Sequence, residues 1–131
     1  MATAESLPED IERAAAAVIE AARKVHAAMG ADRAKAVYEA CMAHELGQRG
    51  IACAARVPLP VRHGARALDT GLRLDLLVAG AVIVEIAALT EIPAVFEEQL
   101  RTYLKLADLR LALLINFKVA AIEHGIRRVE A

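Results

Sequence analysis

Tryptophan is absent from this 131-residue chain, and only four residues are Tyr or Phe, although 57% are hydrophobic. The interior must therefore be filled by Ala, Leu, Val and Ile through many small contacts. Cysteine is scarce as well: Cys41 and Cys53 have neither C-x-x-C spacing nor neighbouring ligands, which speaks for two reduced thiols rather than a disulfide framework. Charge of one sign is missing too, with 16 basic and 17 acidic residues giving a net of −1. That balance excludes the global basic field of a strong, sequence-independent nucleic-acid binder, so nucleic acid could be held only by a local patch. No apolar run reaches the ~18 residues of a membrane span, and the N-terminus lacks the basic and apolar regions of a signal peptide. A cytoplasmic, non-membrane protein is expected, with residues 1–131 forming a single domain free of repeats and linkers.

What is present is a sequence of alternating helical and extended patterns. Ser6-Leu7-Pro8-Glu9 has the form of a capping box, and Ile11, Ala14, Val18, Ala22, Val25 and Met29 follow at helical spacing until Gly30 stops the run. His26 borders that stripe and is read as structural. A second helix is expected from Asp32 as N-cap to Gly50, with Lys35 at its third position, where the helix dipole prefers an acid. The period then changes to two from Ile51 to Val61, a strand whose Pro58 and Pro60 mark it as an edge or an irregular one. His63-Gly64 reads as a turn. Thr90 to Pro93 opens a third helix carrying Phe96, Gln99 and Tyr103 on one stripe. Leu109 to Phe117 has the continuous apolar character of a central strand covered on both faces, in parallel connection with the strand before the helix. Lys118 to Gly125 is expected as a loop, and Ile126 to Glu130 as a short last strand.

Between these lies Gly71 to Ala88, GLRLDLLVAGAVIVEIAA, which sets Asp75 and Glu85 among Leu, Val and Ile. An isolated carboxylate is very costly to bury, so each must be solvated, paired or metal-bound. A three-residue loop, Ala79 to Ala81, puts the two acids directly opposite each other on one face; a two-residue turn would separate them.

The order of elements, together with Val37-Tyr38-Glu39, His44-Glu45-Leu46, Val57-Pro58-Leu59-Pro60-Val61, Arg73-Leu74-Asp75-Leu76-Leu77-Val78, Val84-Glu85, Gln99-Leu100-Arg101-Thr102-Tyr103-Leu104-Lys105 and Leu113-Leu114-Ile115-Asn116-Phe117, resembles the GxxExxY protein family of the PD-(D/E)XK nuclease superfamily. The resemblance runs from about Ile11 to Val129. It implies an α/β, restriction-endonuclease-like core: a mixed central sheet flanked by helices. It also implies hydrolysis of nucleic-acid phosphodiesters with Mg²⁺ or Mn²⁺ held by Asp75 and Glu85, since hard oxygen donors suit these ions. Gln99 and Tyr103 match the Q-x-x-x-Y element of the family site, and Glu39 or Glu45 could add an acid from the second helix.

The chain departs from the pattern at several positions of that site. The lysine expected two residues after Glu85 is replaced by Ala87. Lys35 falls where the family signature has its glutamate, Asp32 where it has its glycine, Phe96 where a histidine is usual, and Leu72 where an aromatic is usual. Lys35 is the candidate to replace the missing ammonium. Three readings follow. In the first, the domain is a nuclease-like pseudoenzyme, its hydrolysis weak or lost, that keeps Asp75 and Glu85 as a metal pair. In the second, natural drift or redesign has turned the site into an apolar small-molecule pocket around Leu72, Ala87 and Phe96, with Glu85 or Asp75 as general base. In the third, the chain is a structural or interaction protein, as a homodimer, with both acids merely hydrogen-bonded or solvated.

Overall fold

A computed structural model describes residues 7–131; Ser6 of the expected capping box lies outside them. The first helix, α1 (Glu9–Met29), follows Pro8 in an extended conformation and carries Glu9, Asp10 and Glu12 in its first turn, where the helix dipole favours acids. Ala14, Ala15, Val18, Ala21, Ala22 and Val25 form its buried stripe. It ends at Gly30, whose φ of 77° suits a residue without Cβ and whose N–H donates to the His26 carbonyl at 2.8 Å. His26 is structural, as expected: its Nε2 donates to the Val119 carbonyl at 2.8 Å.

The second helix, α2 (Lys35–Gln48), starts later than the sequence suggests. Its N-cap is Ala34, not Asp32, so Lys35 is the first helical residue rather than the third. The cause is Tyr38, which is fully buried and stacked on Phe117 at a ring separation of 4.3 Å. Its hydroxyl accepts from the Arg33 N–H and donates to the Gly30 carbonyl. The turn between the helices is thus tied by a tyrosine anchored in the core, and no side-chain cap is made.

After α2 come β1 (Cys53–Pro58), β2 (Val61–His63), β3 (Arg66–Leu68), β4 (Arg73–Val78) and β5 (Val82–Ala87). Helix α3 (Val95–Ala107), β6 (Leu111–Asn116), a 3-10 turn (Ile122–Gly125) and β7 (Ile126–Glu130) complete the described chain. The main sheet has the order β1-β4-β5-β6-β7; β5 and β6 are parallel and the other neighbours antiparallel. The proline-bearing strand β1 is an edge, as expected, but it stops at Pro58. The segment read as its continuation forms instead a separate hairpin of β2 and β3, with Gly64 at φ 63° in the turn. The expected loop before β7 contains the 3-10 turn.

Helices α1 and α2 cover one face of the sheet over Leu76, Val78, Val82, Val84, Leu111, Leu113 and Ile115. Helix α3 covers the other with Leu100, Tyr103 and Leu104 packed on Leu74, Ile83, Ala112 and Leu114. All six residues of β6 are buried, which explains its unbroken apolar sequence. Among the described residues no helix is long and apolar enough to cross a membrane.

The crossing from β6 into β7 depends on one glycine. A Cβ at Gly125 would stand 2.0 Å from the Asn116 carbonyl oxygen, so an alanine there must displace main chain rather than a flexible side chain. Gly125→Ala should therefore lower unfolding stability by about 2 kcal/mol, the usual scale of overpacking. Urea unfolding of the two proteins checks this; equal midpoints would contradict it.

Candidate active site

Strand β4 pairs with β5 through Val78↔Val82, Leu77↔Ile83 and Leu76↔Val84, leaving Ala79–Ala81 as a three-residue loop. That register sets Asp75 opposite Glu85. At this pair the main-chain ladder is taken over by side chains. The Asp75 N–H donates to Glu85 Oε2 at 2.8 Å, and the Ile86 N–H donates to Asp75 Oδ2 at 2.9 Å. Two carboxylates thus stand in for the carbonyls that would continue the sheet.

The substitution distorts the strand. Leu76 and Val78 join the core under α1 and α2, whereas Leu74, of the same parity, joins the core under α3. The alternation of a strand reverses only if the backbone twists between, and Asp75 sits at the reversal. The neighbouring edge strand does likewise: Cys53 packs on one core and Val57 on the other, with Arg56 between them at a φ of 52°. The sheet is consequently splayed at one spot, and groups from both helical layers reach it.

From α2 comes Lys35, whose Nζ lies 3.0 Å from Asp75 Oδ2 and 3.9 Å from Glu39 Oε2. Glu39, one helical turn on, also meets the Arg56 guanidinium at 3.5 Å. From α3 come Phe96, Gln99 and Tyr103, which with Lys35, Arg73, Asp75, Glu85, Ile86, Leu100 and Leu114 line a cleft of about 270 Å³. Gln99 Nε2 donates to the Tyr103 hydroxyl at 2.7 Å. Because that hydroxyl oxygen accepts from Gln99, its own proton remains available to a group in the cleft.

Lys35, Asp75, Glu85, Phe96, Gln99 and Tyr103, all singled out in the sequence, therefore share one cleft. Leu72 and Ala87 do not line it; both pack in the core beneath α3. Of the two candidate acids on α2, Glu39 faces the site, whereas Glu45 is buried away from it between Lys24 and Arg49. Arg56 and Arg73 were not anticipated. Arg73 adjoins Leu74-Asp75 in sequence and could have been marked by that proximity. Arg56 carries no local signal, since its position depends on the twist of the edge strand.

The electrostatics follow from burying three acids together. Burial, reinforced by the charge of Asp75, pushes the Glu85 carboxyl up to about 7, against the pull of the Asp75 N–H and of Lys35. Burial and Asp75 also raise Glu39, opposed by Lys35 and Arg56. The Tyr103 phenol is raised by burial and by Glu85. Among the described residues, no three His, Cys, Asp or Glu side chains form a metal cage. The donors present are two facing carboxylates, each with one oxygen outside the hydrogen bonds described above. They fit Mg²⁺ or Mn²⁺, which accept one or two carboxylates and fill the remaining positions with water and substrate phosphate. The absence of His and Cys from the cleft lining makes it a poor match to zinc.

A mixed sheet between two helical layers, with a pair of acids at a splayed point of its central hairpin, is the architecture of a nuclease-like α/β domain. A family model of the PD-(D/E)XK nuclease superfamily matches residues 12–129, and the chain belongs to that superfamily, with its restriction-endonuclease-like core. No curated protein and no solved structure gave a significant match.

Proposed function

We propose that this domain is a divalent-metal-dependent phosphodiesterase acting on nucleic acid, whose cationic group comes from α2 rather than from β5. The observation that carries the reading is the 3.0 Å contact of Lys35 Nζ with Asp75 inside the cleft that also holds Glu85, Gln99 and Tyr103. The lysine usual in the superfamily site would fall at Ala87, where the buried methyl contributes no charge. Lys35 offsets that loss: an ammonium is a compact charge with three donors on a flexible stem. Its side chain keeps 49% of its surface exposed and can turn from Asp75 toward a phosphate.

Asp75 and Glu85 would hold Mg²⁺ or Mn²⁺, with Glu39 orienting Lys35. The ion supplies charge neutralisation at the phosphate and acidifies a water for attack. Tyr103, oriented by Gln99, donates its hydroxyl proton to a phosphate oxygen, and Arg73 draws the polyanion to the cleft mouth. Of the family departures, Phe96 gives the cleft an apolar wall, whereas Leu72 packs in the core beneath α3.

Calorimetric titration with MnCl₂ tests the reading. The wild type should bind an ion, and Asp75→Ala should lose more affinity than the roughly 10- to 100-fold typical of an outer-shell group. No binding to the wild type, or equal binding by the variant, would overturn it.

A further inference from the structure

Residues 56 to 73 carry four arginines and one aspartate, a net of +3 in a chain whose total is −1. The remainder is therefore acidic, and the positive charge is local. Its centre is the β2–β3 hairpin, a two-stranded ribbon separate from the main sheet. Every residue of β3 is exposed, as are Arg62 and His63 of β2. Arg62 and Arg66 have no carboxylate partner among the described residues, whereas Arg56 and Arg73 do. The register places His63 directly across from Arg66 and Arg62 across from Ala67. Arg66 and Arg62 therefore lie on opposite faces of the ribbon. An exposed hairpin of this length gains little from burial to offset the ordering of its chain.

The ribbon also stands next to the cleft. It springs from the end of the β1–β4 ladder, where Pro58 pairs with Arg73 and the Leu59 N–H donates to the Leu72 carbonyl at 3.0 Å. Arg73 lines the cleft, and Asp75 is two residues further along β4.

We propose that the β2–β3 ribbon is a grip for the backbone of duplex DNA, seated beside the cleft so that a strand is delivered to it; this rests on the nuclease reading of that cleft. A two-stranded ribbon fits the major groove of B-form DNA, about 12 Å wide, and cannot enter the deep, narrow groove of an RNA duplex. Arg66 stands exposed beside His63 and meets one phosphate wall, and Arg62, exposed at the rim of the groove that it and Ala67 line with Leu106 and Leu109, reaches the other phosphate wall. They position the duplex without reading its bases.

The test is fluorescence anisotropy with a labelled DNA duplex of about 20 base pairs, two helical turns, measured in chelator across a salt series. The wild type should bind. Arg62→Ser combined with Arg66→Ser should weaken binding about tenfold or more and reduce the slope of log affinity against log salt by about two. Arg62→Lys with Arg66→Lys should keep the slope, because the charge is retained. An RNA duplex of the same sequence should bind more weakly than DNA. The proposal is overturned by a wild type that does not bind DNA, by an unchanged slope in the serine variant, or by equal binding of the RNA duplex. Circular dichroism spectra matching the wild type should show both double variants folded. Wild-type hydrolysis of bis(p-nitrophenyl) phosphate with Mn²⁺, a substrate too small to reach the ribbon, separately tests the cleft. Its failure with the binding results intact would remove the catalytic reading and leave the grip.

Discussion

Lys35→Met should lower Mn²⁺-dependent phosphodiester hydrolysis by about 10²–10⁴-fold, the usual worth of a single positioned acid, base or water-orienting group. That range corresponds to roughly 3–5 kcal/mol of transition-state stabilisation. The lysine sits at the first position of α2, where no acid complements the helix dipole and a cation is disfavoured by it. A charge kept against that preference, 3.0 Å from Asp75, has its compensation in the site and not in the helix. Lys35→Met also takes the cation away from Asp75, whose side chain keeps only 14% of its surface, so a thermal melt must first show the variant folded at the assay temperature. Steady-state rates on a small diester then isolate the chemical effect, and a rate within twofold of wild type would exclude Lys35 from the reaction. Placing an ammonium two residues after Glu85 gives a second check: Ala87→Lys in the Lys35→Met background should recover part of the lost rate. Ala87 shares the parity of Glu85 on β5, so a lysine there extends on the same side of the strand.

Much of this arrangement was legible in the chain because it rests on local pattern. The unbroken apolar run of β6 announced a strand covered on both faces, and Pro58 and Pro60 announced an edge or an irregular strand. The sequence offered two loop lengths after β4, and the structure takes the three-residue one, Ala79–Ala81, which sets Asp75 against Glu85. What escaped depends on long-range contacts. Asp32 looked like the better helix cap, but Tyr38, stacked on Phe117 and bonded to the loop main chain, places the start of α2 at Lys35. The alternation of Val57, Leu59 and Val61 ran across Pro60 without interruption and so concealed the separate hairpin of β2 and β3. Choosing Glu39 over Glu45 required the rotation of α2, which the buried stripe of Tyr38, Met42 and Leu46 fixes. Lys35 and Glu39 are one turn apart and share a face, so the same stripe carries both to Asp75.

Glu85→Gln should stabilise the protein at alkaline pH and do little at acid pH. Glu85 titrates near 7 in the fold, mainly because burial penalises its charge, against an ordinary value of 4.5. Between those two values the folded state holds a proton that the unfolded chain has released. Stability from this group therefore falls as pH rises from about 4.5 to about 7 and is level outside that window. The accumulated loss is about 3 kcal/mol. A glutamine is neutral throughout, keeps an oxygen to accept the Asp75 N–H at the position Glu85 Oε2 now holds, and removes the penalty. Urea unfolding at pH 5 and pH 8 should show the difference between variant and wild type growing with pH, up to about 3 kcal/mol. A constant difference would mean that Glu85 is not held protonated. Saturating Mn²⁺ should shrink the gap at pH 8, because a divalent ion compensates the buried carboxylate and displaces its proton. The cost of ionising Glu85 without Mn²⁺ would then be the measure of what the ion supplies, tying stability and catalysis to one carboxylate.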